Sequence, residues 1–440
     1  LVITVDCGIR AVQQVEDGNA AGLDIIITDH HSVGDTVPDA LAVVNPQQND
    51  CDGDKTLAGV GVAFMVARGL LLDAWKRNGR KKKHLKLYTD LINNLTDLVA
   101  IGTVADIMSL ASVSNRALVK QGLEVINSAQ RPGIRALMKV AGLKAGQITA
   151  MDIGFGLGPR INAAGRLESA MLAYELLASD DFEDALEKAE DLQALNVRRQ
   201  QLTREASERV RAKLALNGSA DANLIFAADD EVSQGIVGLV AGRLTEEYYR
   251  PAIILDMGET ESHASCRSIP EFHITKVLDE HADLLLRHGG HAMAAGFTVA
   301  NENIELLEAA LTQAADKHLA GQILTPSITI DKKLDLRQLD MQLVEGMAIL
   351  EPTGHKNTQP IFMTRNLRVV EKRRIGKDKS HLKMKLADDS QPPIDTIAFR
   401  LGDLCDDLPE YIDIVYHLEV NEWQGRRNLQ LNIQDLRPAE

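Results

Sequence analysis

The stretch from residue 183 to residue 216 contains neither proline nor glycine and is densely charged. At a rise of about 1.5 Å per residue, a helix of this length would span about 50 Å. We therefore expect a long connecting helix, or two helices end to end, between separately folded parts of the chain. Its apolar side chains recur near one face, at Ala185, Ala189, Leu192, Leu195, Leu202, Ala206, Val210 and Leu214.

Short β-branched runs alternate with a helical pattern before this helix. We predict strands at Val2–Val5, Leu23–Thr28 and Leu41–Val44, and a helix over residues 10–21. This βαβ alternation is typical of a parallel sheet, so residues 1–182 are predicted to form a doubly wound α/β domain.

Two further parts follow the long helix. Residues 217–325 contain strand patterns at Leu224–Ala227 and Ala252–Leu255 around a glycine-punctuated helix, which predicts a second α/β domain. Residues 326–440 consist of short alternating segments separated by turn residues, which predict a small antiparallel barrel or sandwich. The predicted class is therefore α/β with an all-β C-terminal part.

Acidic and imidazole side chains follow the predicted strands of the first domain. Asp6 ends the first strand, Asp29, His30 and His31 end the second, and Asp106 ends a helical pattern. Ligands of parallel sheets bind beyond the carboxyl ends of the strands, where these groups would converge. Carboxylate oxygens and imidazole nitrogens together suit Mn²⁺ or a similar divalent ion. Any one such Asp alone is more often a helix cap or turn former.

Composition constrains the setting. The net charge of −15 argues against non-specific coating of nucleic acid but leaves room for a local basic channel. The four cysteines are widely spaced, which fits a reducing cytoplasm better than a zinc site or a disulfide framework. The apolar stretch Leu57–Trp75 is interrupted by Arg68, so we expect a packed helix and not a membrane span.

Five motifs in order give the chain a family resemblance. Together they resemble the DHH phosphoesterase superfamily with its DHHA1 subdomain, and among its members the single-strand-specific 5′-to-3′ exonucleases. The resemblance covers nearly the full length, and it implies that the C-terminal barrel is an OB-fold. The motifs are VDCG (5–8), TDHHS (28–32), VAIGTVADIMSL (99–110), GPRINAAGRL (158–167) and GGHAMAAG (289–296).

The resemblance implies roles at the strand ends. Asp6 would be a bridging metal carboxylate, His30 a metal ligand, and Asp106 the carboxylate that completes the same ion's ligands. Asp29 would orient His30, and His31 would face the scissile phosphate. Two Mn²⁺ or Mg²⁺ ions would assist hydrolysis that releases 5′ mononucleotides.

It also implies a substrate and a setting. The substrate would be single-stranded DNA with a free 5′ end, delivered with the help of single-strand-binding protein and a helicase during repair and recombination in the cytoplasm. Arg160 and Arg166 would meet the nucleotide backbone, since a guanidinium pairs with phosphate bidentately. For either arginine alone, a structural ion pair is the commoner explanation.

The second and third domains would hold the DNA strand. Ser265 and Arg267 lie two apart on an extended segment and resemble the family's pocket for the 5′ phosphate. A turn at Gly289, Gly290 and His291 would allow close backbone approach, although it can equally be a simple tight turn.

A basic patch in the barrel would bind single strands, unless it is only a solvated loop. It comprises Arg368, Lys372, Arg373, Arg374, Lys377, Lys379, Lys383 and Lys385.

Two departures from the family qualify these expectations. The family's Asp-x-Asp-Gly motif would fall before Leu1, so we expect the second metal ion to be compromised and this chain to bind DNA while turning it over poorly. Residues 352–360, PTGHKNTQP, replace a glycine-rich loop between the second and third domains.

Three functions are therefore weighed. An exonuclease on single-stranded DNA is favoured. The alternatives are a small-substrate phosphodiesterase acting on cyclic dinucleotides or very short RNA, and a non-catalytic DNA-binding relative.

Overall fold

The computed structural model describes residues 1–217, 222–229, 231–388, 392–423 and 425–439. Two compact units contain them. The first consists of Leu1–Val125, Thr149–Met151 and Ile328–Glu440, and the second of Ile126–Ile148 and Asp152–Ser327. None of the described helices combines the length and the apolar character that crossing a membrane requires.

The first unit begins with a three-stranded parallel sheet. Strands β1 (Val2–Val5), β2 (Ile25–Thr28) and β3 (Ala42–Val44) lie in that order, so consecutive strands are neighbours. Helix α1 (Val12–Ala20) packs Val15 against the buried β2 side chains. The parallel order brings the carboxyl ends of all three strands to one edge.

Helices follow the sheet along the chain. Residues 182–217 form one continuous helix, which is the first of the two alternatives predicted for this stretch, and a π-helical turn, Ile153–Leu157, precedes α8. The helices are α2 (Gly59–Arg77), α3 (Lys82–Asn94), α4 (Thr96–Ala105), α5 (Val113–Asn127), α6 (Pro132–Ala141), α7 (Ala150–Asp152), α8 (Gly158–Leu167), α9 (Met171–Ala178) and α10 (Phe182–Asn217).

The second unit contains a mixed five-stranded sheet. Its order is β4-β5-β6-β8-β7, with β4 and β5 parallel and the other pairs antiparallel. Alternate residues of β6 point into the core, so Ser265 and Arg267 share the opposite face. The elements are β4 (Ile225–Ala228), α11 (Gln234–Tyr248), β5 (Ala252–Asp256), β6 (Glu261–Arg267), α12 (Ile274–Glu280), β7 (Arg287–His291), β8 (Ala294–Ala300) and α13 (Ile304–Leu319).

The C-terminal part of the first unit is a closed ring of strands. The order β11-β12-β14-β13-β10 closes because β10 also pairs with β11. Buried side chains such as Leu367, Ile412 and Tyr416 fill its interior. The predicted α/β class with an all-β C-terminal barrel is confirmed. The elements are β9 (Lys332–Lys333), α14 (Met341–Met347), β10 (Phe362–Ile375), β11 (His381–Ala387), β12 (Ile394–Ala398), β13 (Tyr411–Trp423) and β14 (Arg426–Pro438).

Candidate functional site

Asp6 follows β1 in a backbone conformation that is uncommon for a residue with a side chain. Its φ is +63°, and its N–H donates to the carbonyl oxygen of Thr28 at 2.9 Å. Helix α2 begins beside it at Gly59, where an added Cβ would stand 2.3 Å from Oδ1 of Asp6. The first turn of α2 therefore lies directly against the Asp6 side chain.

His30 lies between two carboxylates. Its Nε2 is 3.0 Å from Oδ1 of Asp6 and 3.5 Å from Oδ2 of Asp106. The imidazole side chain is only 10% exposed, whereas Asp6 and Asp106 are 54% and 44% exposed. The cluster therefore has a buried imidazole base and open carboxylate sides that a ligand can reach.

Asp106 is held at the end of α4 by the turn that closes this helix. Its N–H donates to the carbonyl oxygen of Gly102, and the next residue, Ile107, has a φ of +55°. Burial raises the pKa of Asp106; His30 opposes this rise and the charge of Asp6 adds to it. A cation bound between the two carboxylates would relieve both effects.

Asp29 is almost fully buried and accepts hydrogen bonds from the segments that follow β1 and β2. Its carboxylate accepts the N–H groups of Ile9 at 3.0 Å, His30 at 2.7 Å and His31 at 3.2 Å. Burial raises its pKa, but these bonds and one to the His31 ring outweigh burial, so the net pKa is lowered. Asp29 is therefore a fixed anion.

The prediction that Asp29 orients the ring of His30 is wrong, because the ring that its carboxylate contacts is that of His31. Oδ1 of Asp29 lies 2.7 Å from Nδ1 of His31, and its contact with His30 is to the backbone N–H. Successive side chains of an extended chain point to opposite sides, so a residue reaches the one two positions later more readily than its neighbour. The carboxylate thus orients His31.

Asp6, His30 and His31 form a group with the chemistry of a metal site. One ligand atom from each lies within 4.8 Å of the others. The two imidazole rings lie 4.5 Å apart, and Asp106 adds a second carboxylate on His30. Mixed oxygen and nitrogen donors with open carboxylates fit a divalent ion such as Mn²⁺. These residues come from β1, β2 and α4, as the sequence predicts.

The segment 352–360 contacts the loop after Asp106. The N–H of Leu110 donates to the carbonyl oxygen of His355 at 2.8 Å, and Nη2 of Arg116 donates to Oδ1 of Asn357 at 2.8 Å. Nε of Arg116 donates to the carbonyl oxygen of Leu110. The segment 352–360 thus contacts the loop that directly follows the predicted metal ligand Asp106.

Arg160 and Arg166 lie on α8 in the second unit. Nη1 of Arg160 donates to the carbonyl oxygen of Gly156 in the π-helical turn at 2.6 Å, while its buried Nε has no hydrogen-bond partner among the described residues. Nη1 of Arg166 donates to the carbonyl oxygen of Gly235 at 3.1 Å. Burial lowers the pKa of both guanidinium groups, although Arg166 remains accessible to solvent.

Ser265 and Arg267 contact each other on β6. Nη1 of Arg267 donates to Oγ of Ser265 at 3.2 Å. Helix α11 crosses this face at Gly238, where an added Cβ would stand 3.0 Å from Oγ of Ser265 and 3.1 Å from Nη2 of Arg267. Burial lowers the pKa of Arg267, to which the charge of Arg166 contributes. Ser265 and Arg267 thus form the paired donors predicted for an anion.

The predicted turn at Gly289, Gly290 and His291 is a strand. These residues end β7 at the sheet edge, and the two-residue turn lies at Ala292–Met293. Gly290 has a φ of +145°, and an added Cβ would meet the carbonyl oxygen of Ala294 at 2.4 Å, so the close backbone approach is to β8.

These glycines nevertheless leave the sheet open beside Ser265. Ser265 pairs with Gly296, which pairs with Gly289, and a Cβ at Gly289 would meet nothing within 4 Å. Two rows further along, Arg267 and His291 both pair with Ala294, and Gly290 lies in the row between. The predicted residues therefore lie in three successive rows across three strands.

The basic patch of the barrel lies on the β10–β11 hairpin but not on one face. Arg373 pairs with Lys383 along a groove of about 470 Å³. Arg374 points the other way and donates to Asp406 at 2.8 Å and to Gly402 at 2.9 Å. Lys377 is exposed in the connecting turn. Strand alternation thus separates Arg374, which the prediction grouped with Arg373.

One arginine of the second unit was missed by the sequence prediction. Arg199 lies on α10, and its buried Nε has no hydrogen-bond partner in the part of the chain that the structure describes. Burial lowers the pKa of Arg199, and the charge of Arg166 lowers it further. No carboxylate among the described residues forms an ion pair with any of the four arginines Arg160, Arg166, Arg199 and Arg267.

Comparisons with known protein families match three successive parts of the chain. Three family models match: the DHH family N-terminal domain over residues 1–103, the DHHA1 domain over 221–317 and the RecJ OB domain over 330–435. The single-stranded-DNA-specific exonuclease RecJ of Bacillus subtilis is 35% identical over all of this chain and 54% of that protein. The exonuclease of that name from Salmonella typhimurium is 34% identical over all of this chain and 77% of that protein.

A solved relative has the same fold. The crystal structure of RecJ in complex with Mn²⁺ from Thermus thermophilus superposes with a TM-score of 0.83 at 31% identity, covering 100% of this chain and 62% of that one. The Mg²⁺ complex of the Thermus protein gives a TM-score of 0.78 at 30% identity, covering 100% and 61%. The chain thus spans between 54% and 77% of the lengths of these relatives.

Proposed function

The chain belongs to the RecJ family of DHH phosphoesterases, and from this membership we propose that it is a 5′-to-3′ exonuclease of single-stranded DNA. It would release 5′ mononucleotides by metal-assisted hydrolysis in DNA repair and recombination. The observation that carries the proposal is the convergence of Asp6, His30, His31 and Asp106 within one cluster.

We propose Mn²⁺ or Mg²⁺ as the cofactor, held by Asp6, His30 and Asp106. A bound divalent ion would polarise the scissile phosphate and help to generate the attacking hydroxide. The complete site is proposed to use two ions. The three side chains would hold one of them, and Asp6 would contribute to holding the second.

Asp29 and His31 are proposed to act on protons at the same site. The hydrogen bond between Oδ1 of Asp29 and Nδ1 of His31 assigns the ring proton to Nδ1, because an ionised carboxylate only accepts. Nε2 of the neutral ring is then an acceptor, and in the imidazolium form it donates to a phosphate oxygen. Asp29 would hold the ring of His31 in this orientation.

The arginines of the second unit would bind the substrate. Ser265 and Arg267 are proposed to hold the 5′ phosphate, with Gly289, Gly290 and His291 beside them on the open sheet. Arg160 and Arg166 are proposed to meet backbone phosphates, because guanidinium groups without carboxylate partners among the described residues can pair with an anionic ligand.

The barrel would extend the contact along the strand. Arg373 and Lys377 are proposed as its contacts to single-stranded DNA, and Arg374 is the weakest candidate of the three because Asp406 already neutralises it. We propose a cytoplasmic location, since the substrate is cellular DNA, with single-strand-binding protein and a helicase as suppliers of that substrate. A small-substrate phosphodiesterase and a non-catalytic relative are not favoured, because the similar relatives are named as exonucleases.

Polarity and strand specificity test the proposal together. A single-stranded oligonucleotide labelled at its 5′ end should lose the label as a mononucleotide in Mn²⁺ before the chain shortens visibly, whereas a 3′-labelled one should shorten progressively. The same sequence as a blunt duplex should resist. Release from the 3′ end first, equal degradation of the duplex, or hydrolysis of dinucleotides alone would contradict the proposal.

A further inference from the structure

Arg199 is a half-buried cation that the fold leaves without a counter-charge. Its neighbour Arg198 is exposed on the same helix, so the two arginines differ in environment and not in sequence context. The guanidinium of Arg199 makes no ion pair with a described carboxylate, and its Nε is buried without a partner. Such a group destabilises the free protein unless a ligand satisfies it.

The preceding turns of α10 also carry unsatisfied polar atoms. Asn196 is 2% exposed, and neither its Oδ1 nor Oε1 of Gln193 has a hydrogen-bond partner in the described chain. Residues three apart lie on one side of a helix, so Gln193, Asn196 and Arg199 follow one another along the same stripe. The carbonyl oxygens of these amides do not reach the guanidinium, so they do not explain its burial.

Arg199 lies close enough to another cation, Arg166, for the two charges to interact. Helix α10 packs along α8, which carries Arg166, and along α11, which covers β6 and Arg267. Arg166 interacts electrostatically with both Arg199 and Arg267. Arginines from α10, α8 and β6 therefore lie in one neighbourhood, where Arg166 interacts with each of the other two.

We propose that Arg199 binds an internal phosphate of the DNA strand whose 5′ end is held at Ser265 and Arg267. The inference rests on the proposed function for the identity of the polyanion. Arg199 and Arg267 lie on different elements, and each guanidinium can pair with a phosphate of its own bidentately, so we assign them to different phosphates of the strand. Arg199 would then contribute affinity for any single strand, whereas Arg267 would select for a phosphorylated end.

The role of Arg199 is tested by measuring DNA binding under conditions in which hydrolysis does not occur. Fluorescence anisotropy of a 3′-labelled single strand, with a 5′ phosphate or a 5′ hydroxyl, is measured in EDTA for wild type, Arg199→Gln and Arg198→Gln. We expect Arg199→Gln to weaken both ligands equally, by about tenfold, and to reduce the slope of log affinity against log salt by about 0.7. Arg198→Gln should remain within twofold of wild type.

Failure of the Arg199 proposal can be told apart from failure of the proposed function. If Arg199→Gln binds as Arg198→Gln does, or weakens only the 5′-phosphorylated ligand, Arg199 is not an internal phosphate contact. Failure of the wild type to bind either strand would instead overturn the proposed function. Arg199→Lys keeps the charge without the planar fork and should recover part of the affinity, so it carries the test if Arg199→Gln is unstable.

Discussion

Gly59 lies so close to Asp6 that an added Cβ would stand 2.3 Å from the carboxylate oxygen Oδ1. The first residue of α2 therefore fixes the position of a proposed metal ligand. We predict that Gly59→Ala displaces Asp6 and weakens Mn²⁺ binding by about tenfold, a typical effect of disturbing the support of a ligand. Titration calorimetry with MnCl₂ measures this directly.

Gly69→Ala is the matched control, because a Cβ at this position of the same helix meets nothing within 4 Å. It should bind Mn²⁺ as the wild type does. Equal affinities of the two variants would show that Asp6 is not a ligand or that it moves freely.

The hydrogen bond between Asp29 and His31 predicts a catalytic effect. Asp29→Asn would place an amide among four donor groups, which disfavours the Nδ1–H form of His31 and leaves buried donors unsatisfied. Turnover in Mn²⁺ should fall by at least about 100-fold, with some loss of thermal stability. Asp24→Asn, at an exposed position before the opposite end of β2, should change neither. Turnover of Asp29→Asn within a few-fold of wild type would remove Asp29 from the mechanism.

Replacing Gly238 should change how strongly the protein prefers a 5′ phosphate over a 5′ hydroxyl. A Cβ there would crowd Ser265 and Arg267 at 3.0 Å and 3.1 Å, so Gly238→Ala should reduce the preference for 5′-phosphorylated over 5′-hydroxyl strands by about fivefold. Stability should not fall, because alanine is favoured over glycine inside a helix by about 0.5–1 kcal/mol. Gly242→Ala, whose Cβ would lie 3.9 Å from Arg267, should keep the preference. An unchanged preference in Gly238→Ala would argue against an end pocket at Ser265 and Arg267.

The lowered pKa of Asp54 predicts that this residue's contribution to the free energy of unfolding depends on pH. Burial raises its pKa, but hydrogen bonds from Thr56, Ser114 and Ser112 outweigh burial and lower it from 3.8 to about 2. A lowered folded-state pKa stabilises the protein above about pH 4, and this stabilisation is lost as the pH falls toward 2. After allowance for partial solvent exposure, the contribution is about 1 kcal/mol.

Thermal unfolding from pH 6 to pH 3 checks this contribution. Asp54→Asn should melt below the wild type at pH 6, and the difference should narrow as the pH falls. Asp52→Asn, at an exposed position, is the control. A difference that stays constant over this range would show that the Asp54 charge does not contribute.

The metal cluster could be predicted because it follows from chain direction. Parallel strands bring their carboxyl ends to one edge, which places Asp6 beside His30 whatever the details of packing. The start of β2 was predicted two residues early, since Leu23 is exposed and the chain turns at Gly22 with a φ of +78°. The predicted histidine partner of Asp29 was wrong, because the partner depends on which side of the extended chain each neighbouring side chain faces.

The nucleic-acid residues were harder to predict. Gly289 and Gly290 look like a turn in the sequence, but pairing with β8 extends them as an edge strand. Arg198 and Arg199 are indistinguishable in the sequence, and only the packing of α10 buries one of them. Arg374 alternates away from Arg373 because they are consecutive in a strand.

The proposed metal site is tested by the turnover of Asp106→Ala on a 5′-labelled single-stranded oligonucleotide in Mn²⁺. Asp106 lies 3.5 Å from Nε2 of His30, and its loss should remove a proposed ligand while leaving the arginines of the second unit unchanged. We expect mononucleotide release to fall by at least about 100-fold. Single-strand binding measured in EDTA should stay within a few-fold of wild type, as it should for the exposed control Asp90→Ala, which should also keep full turnover. Release by Asp106→Ala at a rate near that of the wild type would contradict the assignment of this cluster as the metal-dependent nuclease site.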